Sequence, residues 1–139
     1  MRHTGIYVND LERMKEFYCK YFGMIEVVHS VEQSLYIDTI LKGQGLCIEL
    51  YKLKTQDNGL LELLEIKNKN NKLRNNQDVY SLGQLHIALT VNDVDKMYND
   101  LKQQGIEFLS QPCLSPDSYA KVCFCKDPEG NYIELVEVM

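Results

Sequence analysis

The chain has 139 residues, 45% hydrophobic and 25% charged, which describes a globular protein with enough apolar mass for a real core. A formal net charge of −5 with no Lys/Arg cluster argues against a nucleic-acid surface, and no apolar run approaches the roughly 20 residues of a membrane span. Five cysteines without secretory context read as reduced thiols of a cytoplasmic protein, and the opening MRHTGIYV runs into a strand with no signal-peptide character.

In chain order, residues 3–8 alternate as a strand and meet an Asn9-Asp10 helix cap. The helix that follows carries Leu11, Met14, Tyr18 and Tyr21/Phe22 as its apolar stripe and ends at Gly23, a left-handed C-cap. Strands are predicted at Ile25–Val31, Cys47–Leu53 and Leu60–Ile66. The stretch 32–45, with Tyr36 and Ile40, has no later counterpart and reads as a wall or lid over a pocket. KNKNNKLRNNQD (67–78) has almost nothing to bury and reads as a solvated linker. A second strand (86–91), an Asp93-capped helix striped by Val94, Met97, Tyr98 and Leu101, and a Gly105 stop come next. Strands at Ile106–Leu109, Ala120–Lys126 and Tyr132–Val138 complete the chain. The expected organisation is a module at 1–66, a polar linker at 67–80 and a second module at 81–139.

These halves repeat one another. HTGIYVND (3–10) and HIALTVND (86–93) match at an offset of 83, and LLELLEI (60–66) matches NYIELVEV (131–138) at an offset of 72. Each half reads as βαβββ, an α+β fold of two tandem modules forming a curved mixed sheet around a central metal-binding cleft. Strand parity places Leu85, Ile87, Leu89 and Val91 on an apolar face, so His86, and His3 in the first half, lie on the opposite one. A glutamate in an apolar strand is costly unless paired or bound to a cation, and Glu62 and Glu134 occupy repeat-equivalent places. With the two histidines they make a His2Glu2 donor set whose two negative charges suit a divalent cation. Glu65 and Glu137 fall on the other face and read as solvated. CFC (123–125) reads as two small buried or pocket-lining thiols, His29 as a surface or rim side chain, and DPEG (127–130) as a turn.

RHTGIYVNDLERMKEFYCKYFGM, LHIALTVNDVDKMYNDLKQQG and KDPEGNYIELVE resemble the first unit, the second unit and the closing turn and strand of the vicinal oxygen chelate superfamily. That superfamily includes glyoxalase I, methylmalonyl-CoA epimerase, extradiol dioxygenases, and the fosfomycin and bleomycin resistance proteins. The resemblance implies metal ligands at His3, Glu62, His86 and Glu134, with Glu49 in CIELYK as the rival to Glu62. Glu62 is favoured, because it lies in the fourth strand and its context matches Glu134. The implied cofactor is a divalent ion (nickel, cobalt, zinc or manganese), with Glu134, Glu62 or both as the proton-transferring carboxylate. The implied activity is that of a lactoylglutathione lyase-like lyase or isomerase acting on a small 2-oxo or thioester substrate. The alternatives are an epimerase, an extradiol dioxygenase or an antibiotic-resistance binding protein. Tyr7 stands where short bacterial glyoxalase I enzymes carry a glutathione-contacting arginine, which argues against a glutathione hemithioacetal. Exposed strand edges point to a homodimer.

Overall fold

The computed structural model describes residues 1–69 and 77–139, so residues 70–76 of the expected linker lie outside the described part. The chain divides into two compact units, Met1–Arg74 and Asn75–Met139.

In the first unit, β1 (Thr4–Tyr7), α1 (Leu11–Phe22), β2 (Ile25–Glu32), α2 (Leu35–Leu41), β3 (Ile48–Lys54) and β4 (Leu60–Ile66) follow one another. The sheet order is β1-β4-β3-β2, with β1 parallel to β4 and the other neighbours antiparallel. The parallel pair needs a crossover, and the intervening elements carry the chain across. The Asp10 side chain accepts the Arg13 N–H and starts α1; Gly23, at φ 63°, stops it by donating its N–H to Cys19 O. Leu11, Met14, Phe17 and Tyr18 are buried on α1, as are Tyr51, Leu53, Leu61 and Leu63 on β3 and β4. The first-half core is therefore one helix stripe laid on one sheet face.

The second unit repeats this with β5 (His86–Thr90), α3 (Val94–Gln103), β6 (Cys113–Leu114), β7 (Ala120–Lys126) and β8 (Tyr132–Val138), ordered β5-β8-β7-β6. Asp93 caps α3 by accepting the Lys96 N–H. Among the described residues, two four-stranded mixed sheets with three helices make the α+β architecture of two tandem βαβββ modules.

Three expectations change. No strand forms at Ile106–Leu109: only Phe108 bridges Cys125, and the fourth strand is the two-residue β6. Leu109 N–H still bonds Phe124 O, but the next residues run into Pro112, which has no N–H to extend a ladder. The α3 cap is Gln104 at φ −86°, and the left-handed turn comes one residue later at Gly105, φ 81°. The glutamates read as solvated are structural: Glu65 Oε2 accepts Leu11 N–H at 3.2 Å, and Glu137 Oε2 accepts Val94 N–H at 2.9 Å. Each carboxylate thus takes the first orphan N–H of a helix at its positive end. The extra stretch in the first half forms α2, capped by Ser34 and without a buried residue.

Cys123 and Cys125 are buried side by side on the apolar face of β7, where burial pushes their thiols up to about 11 and about 12. They are core residues and poor nucleophiles. The folded chain keeps these protons where an unfolded thiol, titrating near 9.0, loses them. That contribution is complete below the unfolded value and lost as pH rises through the folded ones. Thermal melts from pH 8 to 11 should fall in Tm, less steeply in Cys125→Ala; equal slopes would contradict the assignment. Removing the helix acceptor with Glu137→Ala should cost about 1 kcal/mol by urea unfolding. Glu107→Ala, which removes a surface ion pair, should cost less than about 0.5 kcal/mol.

Candidate functional site

The site begins with register. The parallel β1/β4 ladder sets Gly5 opposite Glu62, and the β5/β8 ladder sets Ala88 opposite Glu134. His3 and His86 lie two residues before those positions and so project on the same face as the glutamates. In the first unit His3 Nε2 stands 3.1 Å from Glu62 Oε2; in the second His86 Nε2 stands 3.1 Å from Glu134 Oε2. In both pairs the glutamate is the more covered partner, at 12% and 24% side-chain exposure against 31% and 42% for the histidines. The small residue between the pair, Gly5 or Ala88, keeps the space open above the strand. A Cβ at Gly5 would meet Glu62 Oε2 at 3.7 Å, an ordinary contact.

Glu49 is elsewhere. It pairs across β3/β4 with Glu65, the helix-capping residue, and therefore lies on the helix side of the sheet, away from Glu62. There Glu49 Oε1 takes a hydrogen bond from His29 Nε2 at 2.8 Å, and Lys67 Nζ lies 3.3 Å from Oε2. The His29 bond, with help from Lys67, holds the Glu49 carboxyl below the usual carboxylate range. His29 also stacks on Tyr51, whose hydroxyl bonds Glu12. This network joins β2 and β3 to α1.

The two half-sites differ at the position across the antiparallel ladder from the glutamate. Lys52 faces Glu62 across β3/β4, with Nζ 3.2 Å from Oε1. Phe124 faces Glu134 across β7/β8, and its ring meets His86 edge-on at 5.3 Å. Lys52 escaped the sequence reading, although counting back from the turn at residues 55–59 pairs it with Glu62. Tyr7, 53% exposed, stands opposite Leu64 on the same face as Glu62.

The donor chemistry fits a divalent cation. Metal–ligand distances of about 2.1 Å place neighbouring octahedral donors about 3.0 Å apart. Each pair, at 3.1 Å, has that spacing. The same spacing lets each pair satisfy itself as a hydrogen bond without metal. Each half contributes one nitrogen and one oxygen donor, and among the described residues no group of three or more His, Cys, Asp or Glu side chains is gathered for a metal.

The chain is 28% identical over 149 aligned positions to glyoxalase I of Saccharomyces cerevisiae, covering 98% of itself but 44% of that protein. It therefore spans less than half the length of the yeast relative. It is 27% identical to a probable lactoylglutathione lyase of Synechocystis, covering 97% of itself and 92% of that chain. A Bacillus cereus glyoxalase family structure superposes with a TM-score of 0.89 at 22% identity, covering 100% of this chain and 93% of the other. Trypanothione-dependent glyoxalase I of Leishmania major gives 0.68 at 24% identity, covering 99% and 85%. No helix among the described residues is long and apolar enough to cross a membrane. A family model matches residues 1–135, and the chain belongs to the Glyoxalase/Bleomycin resistance protein/Dioxygenase superfamily.

Proposed function

We propose that the protein is a metal-dependent lyase or isomerase of the glyoxalase kind, acting on a small 2-oxo or thioester substrate, with His3, Glu62, His86 and Glu134 as its metal ligands. The observation that carries this reading is the duplicated His–Glu pair, held at 3.1 Å by the same parallel register in both units. A chance strand histidine explains one such pair; two at repeat-equivalent places need a shared use. The two carboxylates balance the charge of a nickel, cobalt, zinc or manganese ion, and the mixed N/O donors suit any of these. Such an ion supplies Lewis-acid polarisation of a substrate carbonyl.

The chain's own residues divide the remaining work. Both imidazoles serve as ligands. Glu62 is tied by Lys52 as well as His3, whereas Glu134 pairs with His86 and stands opposite Phe124 in the ladder. Glu134, paired with His86 and facing Phe124 where Glu62 faces Lys52, is therefore the carboxylate assigned to take and return the proton on the carbon next to the carbonyl. Tyr7 offers an aromatic surface in place of an arginine, which favours a substrate other than a glutathione hemithioacetal. The protein works in the cytoplasm in this reading, as a homodimer.

Solvent deuterium incorporation at that carbon tests the reaction. Exchange should require added metal and stop with EDTA. Glu134→Gln should slow it by about 10²-fold or more, whereas Glu49→Gln should leave it intact. Exchange without metal, or oxygen consumption in its place, would overturn the proton-transfer reading. The homodimer has its own test: β2 is an edge strand of its sheet with Ile25 and Val31 exposed, and sedimentation equilibrium should give twice the chain mass. A monomer at all concentrations would contradict it.

A further inference from the structure

We infer that Lys52 sets substrate charge at the proposed site, selecting a compound with a carboxylate next to its reacting carbonyl, a 2-oxo acid, over a neutral counterpart; this rests on the metal reading above. The two units share topology, register, helix-capping glutamates and the His–Glu pair, so a residue that breaks the match is not required by the fold. Among the positions that differ, Lys52 is the charged one paired in register with the glutamate, since Phe124 fills the same place opposite Glu134.

Besides Lys52 and Glu62, this face of the first unit carries Lys54 and Glu32, and Lys52 is the cation paired in register with Glu62. In the second unit the site face carries Lys126 besides Glu134, and Lys126 is bound to Glu107 at 2.6 Å. In the first unit Lys52 has Glu62 as its partner, with Nζ 3.2 Å from Oε1 and a side-chain exposure of 26%. A strongly hydrated ammonium gains little by lying on a partly covered strand surface unless its charge is used. When Glu62 gives Oε2 to a cation, its single negative charge is shared between the ion and the ammonium on Oε1, and the ammonium repels the ion. A substrate carboxylate bound beside Glu62 restores the balance with a charge-assisted hydrogen bond, and a carboxamide does not. Lys52 thus disfavours the bare metal and favours the metal with an anionic substrate. A structural lysine would show neither preference.

The opposite signs make the test. Cobalt(II)-loaded protein is titrated with pyruvate and with pyruvamide, its neutral isostere, and binding is read from the cobalt absorption spectrum. Wild type should prefer pyruvate by about tenfold or more, the scale of one charge-assisted bond. Lys52→Met should abolish that preference, leave pyruvamide binding within about twofold, and tighten cobalt binding several-fold in chelator competition. Lys52→Phe, which borrows the other unit's own residue, should behave like Lys52→Met, and Lys52→Arg should keep the preference. Equal loss of both ligands, or no change in either, with normal cobalt uptake would overturn the role of Lys52 and leave the metal reading standing. Wild-type protein that takes up no cobalt would overturn both.

Discussion

Everything at the candidate site depends on one pairing: the first strand of each half lies parallel to the last. That ladder sets Gly5 against Glu62 and Ala88 against Glu134, which carries a histidine two residues upstream to within 3.1 Å of the glutamate. The same strands hold a second glutamate three residues further on. Because strand side chains alternate, a separation of three sends the two carboxylates to opposite faces. Glu62 and Glu134 face the histidines, while Glu65 and Glu137 accept the first N–H groups of α1 and α3. One short phrase, Glu-Leu-apolar-Glu, thus docks the helix on one side of the sheet and builds a half-site on the other.

Each unit holds one such pair complete in itself. One histidine and one glutamate satisfy each other at hydrogen-bond distance, so a single unit can hold its pair without strain and without a ligand. In the proposed reading, the two pairs supply four donors and two negative charges, which suit a divalent cation with open positions. The halves have diverged where divergence costs the fold least. Lys52 occupies the position that Phe124 holds in the other unit, α2 is added in one unit, and the edge strand of the other is reduced to β6.

Much of this was legible in the sequence, for identifiable reasons. Leu60–Ile66, Ala120–Lys126 and Tyr132–Val138 read correctly because they are apolar-rich runs bounded by turn residues. The His–Glu correspondence came from the repeat, which reports register without a structure. Parity separated Glu65 and Glu137 from the site but could not say what crosses their face, so a capping role looked like solvent exposure. Lys52 was missed because its meaning depends on the antiparallel register across the turn at 55–59, where no repeat partner marks it. Ile106–Leu109 looked like a strand by composition, yet Pro112 shortly after it removes an N–H that a fourth ladder would use.

Metal stoichiometry tests the central claim most directly. Purified protein loaded with cobalt or nickel and freed of excess ion should retain one ion per chain. His3→Ala in the first unit and Glu134→Gln in the second should each lower that occupancy sharply, as the proposed four-ligand set requires. Two ions per chain, or full occupancy in both variants, would contradict a site built from a pair in each half.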